Sequence, residues 1–503
     1  MKTPLSEKIA KNPWIGWALF LGTTIIVFVL GLLAASIVQR RTEANLMNIP
    51  RYKIDEFEPR NEAWGLAFPR EYQTYSQMSD TLFRSKYGGS AFRDLLNEDP
   101  RLVILFAGYS FSKDYNQARG HVYSIVDVHN TLRTGTPANE NEGPQNSTCW
   151  ACKGPDVARV ITQMSPADFY KTKWSAMLSE IVNPIGCANC HNPSDMTLRL
   201  FQIPLKEAYE RMGKNVESLP LNKMRTMVCA QCHSEYYFKG DGKYLTFPWD
   251  KGLNVEDIEK YYDEYAFADW IHPLSKTPII KAQHPDFELF QHSIHYQRGV
   301  SCADCHMPYV TEGSQKITDH KVQSPLNNME ASCMVCHKQS KETLIKNVYE
   351  RQDKVHHQKI ALEDLLVKAH IEAKYAWDKG ANEKMMEPIL KLIRQAQWRW
   401  DFVAASHGAS FHAPLESMRI IADGIEKASE ARLLLSRVLA SLGYNEPVPM
   451  PDISSKEKAQ AYVGIDFKKL KQEKEAWKKE RLPQWLKEAK EREQKMPMPE
   501  RIM

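Results

Sequence analysis

The chain has 503 residues, a formal net charge of +4 and a sequence pI near 8.3. Its 66 basic and 62 acidic residues are dispersed along the sequence. This balance excludes a strongly basic nucleic-acid-binding protein, so no nucleic-acid partner is expected.

The N-terminus contains a long apolar segment between basic residues. Residues 14–38 carry no charged side chain, and Lys11 precedes them while Arg40 follows them. As a helix rising about 1.5 Å per residue, this segment exceeds the roughly 30 Å hydrocarbon core of a bilayer. A signal peptide has an apolar region of only about 7 to 15 residues. Residues 1–40 are therefore predicted to form a transmembrane anchor. A signal sequence is the alternative, because Ala34 and Ser36 resemble a small-residue cleavage site.

The next segment, residues 41–70, is polar and interrupted by Pro50, Pro59 and Pro69. Such a composition is typical of a connecting segment. We therefore predict a tether over residues 41–70. A cysteine-rich region over residues 71–345 and a helical region over residues 346–503 are expected to follow it.

All ten cysteines fall into five Cys-x-x-Cys pairs, and in four of them a histidine follows at once. This is the attachment signature of c-type haem. Two cysteines three positions apart lie on one helical turn and can each form a thioether, while the histidine presents its imidazole to the iron. The motifs are Cys149, Cys152 and Lys153; Cys187, Cys190 and His191; Cys229, Cys232 and His233; Cys302, Cys305 and His306; and Cys333, Cys336 and His337. The sequence thus predicts five haems c, and the body lies outside the cytoplasm because such haems are attached after export.

Cys-x-x-Cys pairs also occur in structural zinc sites, which are the alternative interpretation. A zinc site would need two such pairs side by side. It would give no reason for a histidine directly after the second cysteine in four pairs of five. The pattern therefore favours haem.

The first motif ends in Lys153 where the others have histidine. Lysine binds iron only as a neutral amine. Because its ordinary pKa is about 10.4, burial and metal coordination must drive the loss of its proton. One haem is therefore predicted to differ from the other four, as a catalytic centre fed by a relay would. The alternative is a degenerate motif with Lys153 on the surface.

Haems that only transfer electrons usually have both axial positions filled. The four histidine-ligated haems therefore require four further ligands. Twelve of the sixteen histidines remain available for this role. Taken alone, the residues leave the choice among these histidines open.

The sequence beyond His337 has the pattern of long helices. Helical runs are predicted over residues 360–379, 383–406, 415–442 and 455–495. Within the second run, apolar residues at alternating spacings of four and three form a stripe. Its members are Ile389, Ile393, Ala396, Trp400 and Val403. The stripe would pack on the haem region or on a second copy of the chain. Since little of the sequence alternates as a strand would, we predict a mainly α multihaem cytochrome with a haem-packed core and little β structure.

At these residues the sequence resembles the pentahaem catalytic subunit of the ammonia-forming cytochrome c nitrite reductases. The resemblance runs from about residue 70 to the C-terminal helices, and Cys-Trp-Ala-Cys-Lys at residues 149–153 is its most specific part. Further similar segments lie at residues 119–121, 131–135, 235–238, 281–284 and 411–414. The resemblance implies reduction of nitrite to ammonium with six electrons.

By this resemblance, nitrite binds through nitrogen on the free face of the Lys153-ligated haem, beside Arg133, Tyr236 and His284. An arginine is always protonated and can hold an anion. A histidine can deliver protons as N–O bonds break, and a tyrosine can donate a hydrogen bond. Considered singly, each would be taken for a surface charge or a packing residue.

The resemblance also implies a distal ligand for each relay haem. These are His121 for the Cys229 haem, His295 for the Cys333 haem, His320 for the Cys187 haem and His412 for the Cys302 haem. The main alternatives are His407 in place of His412 and His292 in place of His295.

A calcium site beside the catalytic residues is implied in the same way. Its ligands would be the side chains of Glu235 and Gln283 and the carbonyls of Tyr236 and Lys281, all of which offer oxygen to a hard cation. The ion would hold Tyr236 and His284 in place, and its charge would favour an anionic substrate. Without the resemblance, Glu235 and Gln283 would be taken for ordinary helix-end and solvated side chains.

The resemblance further implies a homodimer on the periplasmic side of the cytoplasmic membrane, supplied with electrons by a membrane multihaem quinol dehydrogenase. Hydroxylamine, nitric oxide and sulfite are related substrates that stay open. The alternative from another class is a pure electron-transfer cytochrome in a quinol oxidation chain. Such a protein would not need Lys153, nor the set of Arg133, Tyr236 and His284.

Overall fold

The computed structural model of the protein describes residues 4–47, 52–312 and 315–502. Within them the chain is mainly α-helical, and its β structure consists of four short antiparallel pairs. The pairs are Tyr52–Lys53 with Glu500–Arg501, Tyr237–Lys239 with Tyr244–Thr246, Trp270–Ile271 with Pro278–Ile279, and Tyr309–Glu312 with Gln315–Thr318. The prediction of a mainly α fold with little β structure is confirmed.

The N-terminal part consists of the helices Leu5–Lys11 and Pro13–Met47. Over Pro13–Thr42 the mean hydropathy reaches 2.5, and this 30-residue stretch is not buried against the rest of the chain. A helix of this length and composition is long and apolar enough to cross a membrane, and a signal sequence has the same character.

The prediction of a tether over residues 41–70 is wrong from residue 52 onward. Residues 48–51, including Pro50, lie outside the described residues. Trp64, on the helix Asn61–Ala67, is completely buried. The side chain of Asn61 accepts a hydrogen bond from the amide of Cys187 at 3.0 Å. A Cβ on Gly186 would lie 1.8 Å from that same side chain, so only glycine fits there. This polar segment is therefore part of the body, because its few large apolar groups pack beside the second cysteine motif.

The helices between residues 52 and 340 are short, and turns and loops connect them. Their bounds are Asn61–Ala67, Pro69–Ser76, Leu95–Glu98, Arg101–Leu105, Ser124–Asn130, Asp156–Met164, Pro166–Lys171, Ile203–Arg211, Leu221–Ala230, Val255–Glu264, Asp286–Phe290, Ile294–Gln297, Cys302–His306 and Cys333–Cys336. Single 3-10 turns lie between them, among them Leu132–Thr134, Ser147–Trp150 and Cys187–Asn189.

The C-terminal region is built from long helices, as predicted, but the bounds of two differ. The observed helices are Lys341–Asp378, Glu383–Ala405, Ala409–His412, Pro414–Ser441, Lys456–Tyr462, Phe467–Glu480 and Leu482–Glu493. The first begins nineteen residues before the predicted start at 360, because Ser340 caps it by accepting a hydrogen bond from the amide of Thr343. It therefore crosses the predicted region boundary near residue 345. The predicted run 455–495 forms three helices, because Gly464 has a φ of 79° and Pro483 begins a new helix.

The apolar stripe on Glu383–Ala405 is buried as predicted. Ile389, Ile393 and Ala396 have no exposed surface. A Cβ on Gly424, on the neighbouring helix Pro414–Ser441, would lie 2.7 Å from Leu362 of the helix Lys341–Asp378, so glycine permits the close approach of those two helices. The long helices thus form one face of the core on which the cysteine-rich region packs.

Candidate active site

One large cavity runs through the cysteine-rich region. Its volume is about 2130 Å³, and all ten cysteines line it. All ten lie within the described residues, and none of them forms a disulfide. The residues predicted to form the catalytic site, Lys153, Arg133, Tyr236 and His284, line the same cavity. A continuous space bordered by five pairs of cysteine side chains fits covalently attached porphyrins.

Each motif lies on one tight turn that faces this cavity. The amides of His191, His233 and His337 donate to the carbonyl of the first cysteine of their own motif, at 3.0, 2.9 and 2.9 Å. This bond closes one helical turn, so both thiols and the imidazole lie on the same side of the backbone. In the first motif the amide of Lys153 donates to the carbonyl of Trp150 at 2.9 Å, which closes a tighter 3-10 turn.

Each motif histidine lies opposite a second histidine across the cavity. The pairs, with the distances between their ring centroids, are His121 and His233 at 6.5 Å, His191 and His320 at 6.0 Å, His295 and His337 at 6.2 Å, and His306 and His412 at 6.1 Å. An iron bonded to two imidazoles at about 2 Å each holds their centroids about 6 Å apart. The four pairs therefore have the spacing that bis-histidine ligation requires.

The two rival histidines also line the cavity, but at other positions. The ring of His407 lies beside His284, with 5.7 Å between the centroids. His292 is exposed on the surface. The partners found across the cavity from His306 and His337 are His412 and His295.

Backbone carbonyls fix the orientation of three of these rings. The Nδ1 atoms of His191, His306 and His320 each lie within hydrogen-bond distance of a carbonyl oxygen. The three carbonyls belong to Met196, Gln323 and Thr318, at 2.9, 2.8 and 2.8 Å. Such a bond holds the proton on Nδ1 and leaves Nε2 free to bind a metal.

Lys153 is held through its backbone. Its carbonyl accepts a hydrogen bond from the hydroxyl of Ser124 at 2.7 Å. A Cβ on the next residue, Gly154, would lie 2.1 Å from the carbonyl oxygen of Asn183, so the chain can pass here only as glycine. The flexible side chain of Lys153 is thus attached to a fixed point at the cavity wall.

Arg133 lies on the 3-10 turn Leu132–Thr134, which Thr131 caps. Its Nε donates to the hydroxyl of Thr131 at 3.0 Å, and its guanidinium carbon lies 4.2 Å from the ring centroid of Phe111. Within the described parts of the chain, its two terminal nitrogens donate to no protein group. They therefore present two parallel N–H donors to the cavity, an arrangement that suits an anion with two oxygens.

Tyr236 and His284 complete the group. Burial raises the pKa of Tyr236 well above its usual value, so its hydroxyl stays protonated and can donate. Burial also lowers the pKa of His284 well below its usual value, and the neighbouring imidazoles of His407 and His233 add to this shift. The Nδ1 of His284 is buried with no hydrogen-bond partner among the described residues.

Oxygen atoms from two chain segments meet beside this group. The carboxylate of Glu235 is completely buried and accepts hydrogen bonds from the amide of Gln283 at 2.6 Å and the hydroxyl of Tyr262 at 2.8 Å. The side-chain amide of Gln283 donates to the carbonyl of Lys281 at 3.3 Å. The ammonium of Lys281 instead binds Asp401 at 2.8 Å. Glu235, Gln283 and the Lys281 carbonyl are thus close enough to share one cation.

A further carboxylate, which the sequence did not indicate, lies near these groups. Asp269 lines the cavity, and its Oδ2 accepts a hydrogen bond from the amide of Lys281 at 2.8 Å. Burial raises the pKa of Asp269 to about 7. Burial also raises the pKa of Glu235 well above its usual value, although its hydrogen bonds oppose this. A cation would offset the cost of burying both carboxylates. No local sequence pattern around Asp269 indicates that it lies here.

Comparison with known proteins gives a consistent picture. The family model for cytochrome c552 matches residues 60–495. Cytochrome c-552 of Parabacteroides distasonis is 55% identical over 486 residues, which cover 96% of this chain and 98% of that protein. Cytochrome c-552 of Maridesulfovibrio salexigens is 43% identical over 483 residues, 94% of each chain. The fold is similar to that of the catalytic subunit of cytochrome c nitrite reductase from Desulfovibrio desulfuricans, described with two calcium sites. The TM-score is 0.71 at 32% identity, over 83% of this chain and 91% of that one.

Proposed function

The chain belongs to the cytochrome c552 family, and we propose that it is an ammonia-forming nitrite reductase with five haems c and bound calcium. This membership confirms the resemblance on which the sequence interpretation depends. The observation that carries the proposal is that Lys153, Arg133, Tyr236 and His284 line the same cavity as the ten cysteines. A protein that only transferred electrons would not need this group.

We assign four of the haems to electron relay. The four histidine pairs, 6.0 to 6.5 Å apart, support bis-histidine ligation of the haems at Cys187, Cys229, Cys302 and Cys333. A saturated iron binds no substrate, and it reorganises little when it changes charge. The haem at Cys149 and Cys152, with Lys153 as its ligand, is left for catalysis.

The residues around this haem have separate roles in the reaction. Nitrite takes up six electrons and eight protons to give ammonium and two molecules of water. When bound at Cys149 and Cys152, the haem would supply the electrons and a binding site for the substrate nitrogen. Arg133 holds the anion through its two free N–H groups and stabilises negative charge as it develops. His284 passes protons to the oxygens as they leave, and Tyr236 donates a hydrogen bond to the bound species.

We propose that calcium binds Glu235, Gln283 and the carbonyls of Tyr236 and Lys281, with Asp269 close by. The two buried carboxylates support a cation at this place. Tyr236 directly follows Glu235, and His284 directly follows Gln283. An ion that joins the two segments would therefore fix both catalytic side chains.

We further propose that the helix Pro13–Met47 anchors the protein on the periplasmic side of the cytoplasmic membrane, and that it works there as a homodimer. The apolar, unburied stretch Pro13–Thr42 supports the anchor. The export that c-type haem attachment requires supports the location. A membrane multihaem quinol dehydrogenase would then be the electron donor.

The decisive experiment is turnover of nitrite by the purified holoprotein with reduced viologen, with ammonium and oxidised viologen both measured. Six electrons consumed for each ammonium formed support the proposal. The alternative is a pure electron-transfer cytochrome, which would form no ammonium and would show only low-spin haem. The reductase should show a high-spin component that changes when nitrite is added.

A further inference from the structure

The turn that carries Arg133, residues 131–135, is held on one side by Asp114. The carboxylate of Asp114 accepts hydrogen bonds from the hydroxyl of Thr131 and the amide of Leu132, both at 3.0 Å. The hydroxyl oxygen of Thr131 in turn accepts the bond from Nε of Arg133. The direction of the guanidinium therefore depends on where Thr131 is held.

The other side of the turn meets Lys474, which lies some 340 residues further along the chain. The side chain of Lys474 is 1% exposed. Its Nζ donates to the hydroxyl oxygen of Thr134 at 3.0 Å and to the carbonyl of Gly135 at 2.7 Å. The hydroxyl of Thr134 donates to the carbonyl of Thr131 at 3.0 Å. A continuous chain of hydrogen bonds thus joins Lys474 to the residue that orients the guanidinium.

Aromatic rings enclose the ammonium of Lys474. Its Nζ lies 4.3 Å from the ring centroid of Trp477 and 5.8 Å from that of Trp174. Trp477 lies on the same helix and donates its indole N–H to the carbonyl of Pro137 at 2.8 Å. Trp174 stacks on Trp150 of the first cysteine motif, with 5.2 Å between centroids. The helix Phe467–Glu480 therefore holds the segment after Arg133 at two points and also packs behind the catalytic haem motif.

A buried ammonium at this position has a cost. Burial lowers the pKa of Lys474 to about 7, against an opposing contribution from the carboxylate of Asp114. Lys478 and Glu475 on its own helix add smaller effects of opposite sign. The imidazole of His129 also faces it. An apolar side chain at this position would avoid the desolvation cost. The hydrogen bonds from Lys474 to the turn therefore account for a lysine here.

We propose that Lys474 is a positioning residue for nitrite binding: by holding Thr134 and Gly135 it fixes the turn that directs the guanidinium of Arg133 at the substrate. The inference rests on the proposed role of Arg133 as the anion-binding group. Lys474 lies behind the turn and acts only through it. The C-terminal helices thereby take part in substrate binding.

The test is the variant Lys474→Met in the holoenzyme, because methionine keeps the apolar stem and removes the donors. The KM for nitrite should rise roughly tenfold, the magnitude of one lost hydrogen bond, with a smaller fall in kcat and five haems retained. Hydroxylamine, which is largely uncharged near neutral pH, depends less on the guanidinium, so its KM should change less. Lys479→Met, at an exposed position of the same helix, is the matched control and should behave as the wild type.

A double-mutant cycle separates this proposal from the proposed function. If Lys474 acts through Arg133, then Lys474→Met adds no further rise in KM to the variant Arg133→Ala. A full additional rise in that background, or an unchanged nitrite KM in the single variant, overturns the role of Lys474. If Arg133→Ala itself leaves the KM for nitrite unchanged, the proposed role of Arg133 fails instead. Should Lys474→Met lose haem, Lys474→Gln is measured in the same cycle with the same criteria.

Discussion

The Nδ1 atom of His233 lies 3.5 Å from Oδ2 of Asp286, whereas the other oriented rings of the relay face backbone carbonyls. Asp286 also accepts hydrogen bonds from the hydroxyl of Ser406 at 2.7 Å and the amide of Gly408 at 3.2 Å. A carboxylate behind a ligating imidazole makes that ligand more electron-rich and stabilises the more positive, oxidised iron. In the proposed ligation, the haem at Cys229 therefore has an environment of its own.

Replacing Asp286 with Asn should raise the midpoint potential of this one haem. A tenfold loss of preference for the oxidised state corresponds to a shift of about 59 mV in the midpoint potential of a one-electron couple. A redox titration followed by absorbance and EPR would resolve this shift. Asp195→Asn removes an exposed carboxylate four residues after His191 and should leave every potential unchanged. Equal potentials in wild type and Asp286→Asn would show that the carboxylate does not tune the haem.

Replacing Arg133 with Ala should lower nitrite turnover at least about tenfold while haem content stays at five, since the two free N–H donors are lost. Arg133→Lys keeps the charge but loses the forked geometry of the guanidinium. Its nitrite turnover should therefore lie between that of the wild type and that of Arg133→Ala. Arg84→Ala is the control, because Arg84 pairs with Glu98 at the surface. Turnover equal to wild type in Arg133→Ala would remove this residue from the site.

Removing calcium with a chelator should lower both nitrite turnover and the melting temperature, and added calcium should restore them. The ion binds only the folded state and stabilises it by mass action. Gln283→Ala should require more calcium for the same activity, whereas Gln163→Ala, at an exposed position, should not. Full activity and an unchanged melting temperature in chelator would contradict the site.

Acid should destabilise the protein through a buried histidine pair. The rings of His272 and His370 stack with 3.8 Å between centroids, and His370 contacts the side chains of Ser275 and Gln397 at 2.8 and 2.6 Å. Burial lowers the pKa of His370 to about 4. In the unfolded chain the histidine has a pKa of about 6.5, so it binds a proton more readily there than in the folded protein. The contribution of neutral His370 to the free energy of unfolding is therefore complete above about pH 6.5 and is lost as the pH falls toward 4.

Protonation of His370 should lower the free energy of unfolding by about 3 kcal/mol. Thermal melts of the holoprotein between pH 4 and 7.5 would measure it as a falling melting temperature. The variant His370→Gln keeps a polar side chain that does not titrate, so its dependence on pH should be weaker. A variant that follows the wild-type curve throughout would assign the acid sensitivity to other groups.

Expression of the full chain should leave the protein in the membrane fraction, resistant to alkaline carbonate and released by detergent. The unburied apolar helix Pro13–Met47 is the reason. Deleting residues 4–42 behind a cleavable signal peptide should give a soluble holoprotein with unchanged nitrite turnover. An N-terminus found after residue 36 in the mature protein would identify this segment as a cleaved signal sequence.

Several features follow from local sequence and are recovered in the structure. Spacing within each Cys-x-x-Cys motif and the stripe around Ile393 and Ala396 concern neighbours on one turn or on one helix. Such patterns specify the helix and the face that is buried, wherever the segment lies in the fold. Helix ends were less predictable, because the cap at Ser340 and the break at Gly464 depend on single residues.

The remaining features depend on residues far apart in the chain. The sequence by itself determined that five haems are to be attached, that one motif ends in Lys153, and that long helices follow. The tertiary structure alone decided that residues 52–70 pack beside Cys187, that Asp269 accepts a hydrogen bond from the amide of Lys281, and that Lys474 holds the turn of Arg133. Those contacts join segments separated by up to some 340 residues, and their donors and acceptors become specific only when folding removes them from water.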